Sequence, residues 1–123
     1  MEQQKTILLA EDEDLNYELM EELLSDINLL IIRAFDGAQA VEICKTNNDI
    51  VLVLMDLKMP VLDGFEATKQ IKAIRPDLPV IAQTAFATSA DKSRALECGC
   101  SEFLGKPFNY EQFIDIINVY LKK

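Results

Sequence analysis

The chain of 123 residues has no histidine and no tryptophan, only three cysteines, and only four residues each of glycine and proline. The absence of histidine excludes Ser-His-Asp and Cys-His catalysis, imidazole metal ligands and a phosphohistidine within this segment. Chemistry must therefore rest on carboxylates, lysines and hydroxyls. An odd number of cysteines, at positions 44, 98 and 100, suits a reducing compartment better than a disulfide framework. Cys98-Gly99-Cys100 cannot be completed to a four-ligand zinc site in a chain without histidine, so small core thiols are expected. Basic residues are also scarce. Twelve against twenty-one acidic residues leave a net charge of −9, which repels phosphate backbones and argues against direct nucleic-acid binding. The longest apolar run, Ile50 to Met55, is far short of the ~18 residues that span a bilayer, and Met1 to Thr6 is polar. No membrane insertion and no signal peptide are expected, which makes the cytoplasm the expected location. Half the residues are apolar, enough for one well-packed domain over residues 1–123.

What is present is a repeating pattern. Short apolar runs alternate with longer amphipathic segments, as parallel strands buried under helices on both faces require. The runs predict strands at Thr6–Ala10, Leu29–Ala34, Ile50–Met55, Val80–Gln83 and Glu102–Gly105, with the second at an edge. Helices are predicted near Asp14–Ser25, Gly37–Thr46, Gly64–Ile74, Ser89–Cys98 and Tyr110–Leu121. The last has the clearest period, with Phe113, Ile116, Ile117, Tyr120 and Leu121 on one stripe. Four starts carry capping pairs three residues apart: Asp36 with Gln39, Asp63 with Glu66, Thr88 with Asp91, and Asn109 with Gln112. Asn47-Asn48-Asp49, Pro76 and Gly99 are stops. The expectation is a doubly wound α/β fold, a five-stranded parallel sheet with five helices. Right-handed crossovers leave few topologies for it, and the flavodoxin-like order 2-1-3-4-5 is the one expected.

In such sheets ligands bind beyond the carboxyl ends of the strands. The polar residues found there are Glu11 and Asp12 after the first strand, Asp56 after the third, Thr84 at the end of the fourth and Lys106 after the fifth. Three carboxylates brought together repel one another and call for a cation. Oxygen-only donors without histidine favour a hard ion, Mg²⁺ first and Mn²⁺ as a substitute. A carboxylate screened in this way can attack phosphorus, which points to Asp56 as nucleophile. Lys106 and Thr84 are then the electrostatic partners of the transferred phosphoryl group.

These residues make the chain resemble the receiver domains of bacterial response regulators from about Lys5 to Leu121. Leu8-Leu9-Ala10-Glu11-Asp12 is similar to the family's acidic-pair motif, Leu54-Met55-Asp56-Leu57-Lys58-Met59-Pro60 to its acceptor motif, and Asp63-Gly64 to the following turn. Thr84-Ala85 and Lys106-Pro107 complete the set. The separations also fit, 44 residues from Asp12 to Asp56 and 22 from Thr84 to Lys106. The resemblance implies the strand order 2-1-3-4-5 and a stoichiometric phosphoacceptor switch in a two-component phosphorelay, not a turnover enzyme. It implies that Asp56 takes a phosphoryl group from a phosphohistidine on a histidine kinase or phosphotransfer domain. It also adds the Lys58 carbonyl to the metal ligands Glu11, Asp12 and Asp56, gives Lys106-Pro107 a cis peptide, and makes Thr84 and Phe103 the switch pair. By the same analogy, helix one near Glu13, Asn16 and Leu19 receives the donor. The fourth helix, fifth strand and fifth helix then form the output surface for a downstream protein.

The switch aromatic here is Phe103, which can bury without a hydroxyl partner. Lys58 brings a second cation toward the acids, and Phe86 is expected to screen the attacking water and slow dephosphorylation. The wording of Ala10-Glu11-Asp12-Glu13 with Asn16, and of Ile81-Ala82-Gln83-Thr84-Ala85-Phe86-Ala87, resembles receivers attached to hybrid sensor kinases. A stand-alone regulator and a segment of a longer kinase both remain open. Three rival functions fit the sequence less well. A phosphohydrolase of the haloacid dehalogenase type needs D-x-D where this chain has Asp56-Leu57-Lys58. A flavin module needs a phosphate cradle where Glu11-Asp12-Glu13-Asp14 would repel one. A receiver that binds partners without phosphorylation would not need the complete set of site residues.

Overall fold

The structure is a computed structural model that describes residues 4–85, 88–105 and 109–122. Along them run β1 (Lys5–Ala10), α1 (Asp14–Leu23), β2 (Leu29–Ala34), α2 (Gly37–Thr46), β3 (Ile50–Asp56), α3 (Gly64–Ile74), β4 (Val80–Thr84), α4 (Ser89–Glu97), β5 (Glu102–Gly105) and α5 (Tyr110–Leu121). The strands form one parallel sheet in the order β2-β1-β3-β4-β5. The doubly wound α/β fold and its flavodoxin-like order are thus as expected, with β2 at one edge and β5 at the other.

β1 and β3 lie inside the sheet and are covered on both faces, so both sides of each strand must be apolar. Their alternating side chains divide between two clusters. Ile7, Leu9, Leu52, Leu54 and Ile81 pack with Met20 and Leu24 of the α1 segment and with Phe113, Ile117 and Leu121 of α5. Leu8, Ala10, Val53, Met55, Val80 and Ala82 pack with Ala40 and Cys44 of α2, Phe65, Ala67 and Ile71 of α3, and Ala95 of α4. The α5 stripe read from the sequence is the face that docks, with Ile116 and Tyr120 partly buried at its border. The Tyr120 hydroxyl donates to Glu102 Oε2 at 2.7 Å and ties α5 to β5.

All four capping pairs form. Asp36, Asp63, Thr88 and Asn109 accept from the main-chain N–H groups of Gln39, Glu66, Asp91 and Gln112 at 2.7, 2.9, 3.0 and 3.1 Å. Two helices end earlier than predicted. After Leu23 the chain tightens through Ser25 N–H to the Glu22 carbonyl at 3.2 Å, and the Ser25 hydroxyl takes the same carbonyl at 2.8 Å. α4 stops at Glu97 because Gly99 takes a left-handed φ of 109°. β1, β3 and β4 each run one residue longer than predicted, while β2 and β5 keep the predicted bounds. β3 includes Asp56 and β4 includes Thr84, so these two side chains are held by the sheet ladder itself.

Cys44 and Cys100 are core thiols, as expected, whereas Cys98 is only partly buried. Burial pushes the Cys44 and Cys100 thiols up to about 11 from an ordinary 9.0. A raised thiol pKa favours the neutral form in the fold, so its stabilisation is complete below pH ~9 and fades as pH rises toward about 11. The urea midpoint should therefore fall between pH 8 and pH 10.5. It should fall less in a Cys44→Ala, Cys100→Ala double variant, as urea titrations followed by circular dichroism at the two pH values will show.

Candidate phosphorylation and metal site

Glu11 and Asp12 leave the carboxyl end of β1, and Asp56 ends β3 beside it. The Glu11 N–H donates to the Ala34 carbonyl at 3.0 Å and extends the β1–β2 ladder by one residue, and Glu11 Oε2 accepts from the Glu13 N–H at 3.3 Å. Asp56 Oδ1 accepts from the Lys58 N–H at 3.0 Å, a short turn that fixes its carboxylate. One ligand oxygen from each of Glu11, Asp12 and Asp56 lies within 4.8 Å of the others. Glu11 is fully buried, Asp56 is 6% exposed and Asp12 is half-buried. Three oxygen donors without nitrogen or sulfur are the kind of set that a small hard dication such as Mg²⁺ takes.

The loop after Asp56 is held against it. The Leu57 N–H donates to the Gln83 carbonyl at 3.1 Å, and the Gly64 N–H donates to the Leu57 carbonyl at 3.0 Å. A Cβ on Gly64 would stand 2.4 Å from the Asp56 carbonyl oxygen and 2.6 Å from Leu57 Cα, so α3 can start here only on glycine. Between them Val61 has a φ of 68°, and the Leu62 N–H closes a one-residue turn on the Pro60 carbonyl at 2.7 Å. A β-branched residue in that region is strained, and the strain lies in the segment joining Asp56 to α3.

Thr84 is buried at the end of β4, and its hydroxyl donates to the Ala85 carbonyl at 2.9 Å. Phe103 is half-buried and packs on the α2–α3–α4 side of the sheet. It is the Cα partner of Ala82, and Gly105 is the partner of Thr84, so Thr84 and Phe103 lie diagonally on one face with no side chain opposite Thr84. Lys58 is exposed. Lys106, the Lys106-Pro107 peptide and Phe86 lie outside the described residues. In the expected docking patch, Glu13 and Leu19 are exposed and Asn16 is half-buried.

Two residues near the site were not singled out by sequence reasoning. Arg33 donates from Nε to the Glu11 carbonyl at 3.0 Å and from Nη1 to Asp14 Oδ1 at 2.9 Å. Its guanidinium lies between the rings of Tyr17 and Phe35, at 4.4 and 4.1 Å from their centres. It therefore clamps the turn that carries both β1 acids. The signal in the sequence was a lone arginine in the apolar strand Leu29–Ala34. The other is Gln83, fully buried next to Asp56 in the β3–β4 ladder.

Comparison with known proteins agrees with this geometry. Residues 7–118 match the family described as response regulator receiver domain. The polar-differentiation response regulator DivK of Brucella ovis is 34% identical over 119 residues, covering 95% of this chain and 96% of its own. The receiver domain of a Pseudomonas aeruginosa sensor histidine kinase, with a magnesium ion coordinated in its active-site cleft, superposes with a TM-score of 0.89 at 32% identity. That match covers 98% of this chain and all of the other. A Francisella response regulator receiver domain superposes with a TM-score of 0.86 at 27% identity, over 96% and 97% of the two chains.

The contact at Gly64 makes a specific demand. Gly64→Ala should lower unfolding stability by about 2 kcal/mol, a large effect for one methyl group, because backbone and not a flexible side chain must yield. The same displacement should weaken Mg²⁺ binding. Urea unfolding and calorimetric titration with MgCl₂ measure the two effects.

Proposed function

The chain belongs to the response regulator receiver domain family, and on that premise we propose that Asp56 is the residue that takes the phosphoryl group. The observation that carries this reading is the three-carboxylate cluster at the carboxyl edge of the sheet, with Asp56 fixed at the end of β3, a strand buried on both faces. A carboxylate oxygen of Asp56 attacks the phosphorus of a phosphohistidine. The phosphorus–nitrogen bond breaks, the imidazole leaves, and an acyl phosphate remains. Water later cleaves the acyl phosphate to regenerate Asp56 and release inorganic phosphate. The protein is a stoichiometric switch on this reading.

Glu11, Asp12 and Asp56, with the Lys58 carbonyl, would hold Mg²⁺, and Mn²⁺ is accepted in its place. The ion supplies charge neutralisation for the entering phosphoryl oxygens. Thr84 exchanges its hydroxyl bond to the Ala85 carbonyl for one to a phosphoryl oxygen, and Lys106 neutralises another. As Thr84 moves, Phe103 turns into the space opposite it that Gly105 leaves free. The phosphoryl group thereby shifts a pre-existing equilibrium of the α4–β5–α5 surface, which binds the downstream protein. Phe86 shields the acyl phosphate from water.

A histidine kinase or histidine phosphotransfer domain docks on α1 around Glu13, Asn16 and Leu19 and donates the phosphoryl group. Residues 1–123 act as one receiver unit in the cytoplasm, without direct nucleic-acid contact and without membrane insertion; among the described residues no helix is long and apolar enough to cross a membrane. The likeness to DivK supports a stand-alone regulator, and the likeness to a sensor-kinase receiver supports a segment of a hybrid kinase.

Incubation with radiolabelled acetyl phosphate and Mg²⁺ should label wild type at one site, and chelation by EDTA should abolish the label. Asp56→Asn should remain unlabelled. Label of wild-type intensity in that variant would overturn the assignment.

A further inference from the structure

The end of β4 holds a residue that no step above uses. Gln83 is fully buried, yet among the described residues neither its amide nitrogen nor its amide oxygen has a hydrogen-bond partner. A primary amide kept in that state costs free energy, since water would satisfy both ends in the unfolded chain. An apolar side chain of similar volume would fill the same space without that cost.

The location of the amide indicates what it serves. Gln83 is the Cα partner of Asp56 in the parallel β3–β4 ladder, so the two side chains leave the sheet on the same face. Ile81, two residues earlier on that face, packs with Phe113 and Ile117. The amide therefore lies at the boundary between this apolar layer and the acid cluster. The Gln83 carbonyl also accepts the Leu57 N–H at 3.1 Å, which fixes the lateral position of Gln83 relative to the residue after Asp56. The Asp56 carboxylate already accepts the Lys58 N–H. Phosphorylation adds new acceptor oxygens and negative charge at this point. A neutral N–H donor stabilises that charge without the repulsion toward a dication that a further lysine would bring.

We propose that Gln83 is a positioning residue for the phosphorylated state, donating from its amide to an oxygen of the acyl phosphate on Asp56 and so holding it in the loaded geometry. This inference rests on the assignment of Asp56 as acceptor. The unphosphorylated protein carries the cost of the orphaned amide, and the phosphorylated protein recovers the share that belongs to the amide nitrogen. Gln83 thus biases the phosphorylation equilibrium as well as the geometry.

The test compares the 123-residue chain with its Gln83→Met and Gln83→Leu variants, using beryllium fluoride with Mg²⁺ as the phosphoryl analogue. Without ligand, the apolar variants should unfold at the same urea concentration as wild type or a higher one. Their affinity for beryllium fluoride, by calorimetric titration at saturating Mg²⁺, should fall about tenfold, the effect of one hydrogen bond to a charged group. Equal affinity in wild type and both variants would overturn the proposal. So would a loss of affinity that merely follows a loss of stability, since that is the signature of a packing role. Failure of wild type to bind beryllium fluoride, or equal binding by Asp56→Asn, would instead overturn the acceptor assignment.

Discussion

Mutual repulsion among Glu11, Asp12 and Asp56 is the constraint around which this end of the molecule is arranged. Two unit charges 4.8 Å apart repel by roughly 3 kcal/mol at an effective dielectric of 20, several times the net worth of one ordinary hydrogen bond. No flexible loop would hold three carboxylates together against that force. The two adjacent strands β1 and β3 do so because their backbones are locked on both sides and buried under helices on both faces. Local restraints finish the arrangement. Arg33 grips the Glu11 carbonyl and Asp14, the Lys58 N–H grips Asp56, and Gly64 lets α3 close against the Asp56 backbone. On the proposed function, the free energy stored in the assembled acids would become affinity for a dication, which would convert repulsion into three favourable contacts.

Most of this architecture was legible in the sequence because its signals are local. Apolar runs of strand length, the stripe on α5 and four capping pairs each depend on residues a few positions apart; the stripe and the caps formed as read, and each run became a strand to within one residue. The acidic site was legible for a different reason. The α/β rule places function at strand ends, so a list of polar residues following apolar runs already names Glu11, Asp12 and Asp56. The helix ends were less legible. The last turn of α1 competes with a tighter turn stabilised by the Ser25 hydroxyl, a choice that helical periodicity does not register.

What the sequence did not disclose depends on cross-strand register. Arg33 reads as a misplaced charge in an apolar strand until the β1–β2 pairing sets it opposite Leu9 and within reach of the Glu11 carbonyl. Its stacking on Tyr17 and Phe35 joins residues from α1 and from the end of β2, elements whose approach no local pattern predicts. Gln83 is similar. It sits in the segment Ile81-Ala82-Gln83-Thr84, where nothing local distinguishes it, and its meaning appears once the ladder puts it beside Asp56.

Register in the β4–β5 pair also bears on the proposed switch. Thr84 and Phe103 share a face because their partners, Gly105 and Ala82, alternate correctly along the ladder. A larger residue at position 105 would project beside Thr84 and occupy the space into which the proposed movement of Phe103 is directed. The Thr84 hydroxyl is meanwhile held by the carbonyl of its own neighbour, Ala85, a bond worth only about 1 kcal/mol net. On the proposed function, a charged phosphoryl oxygen would compete for that hydroxyl with a bond of about twice the strength. The bias toward the proposed rearranged state would then be of the order of one hydrogen bond. That is enough to move a population severalfold and small enough to be reversed when the phosphoryl group is lost.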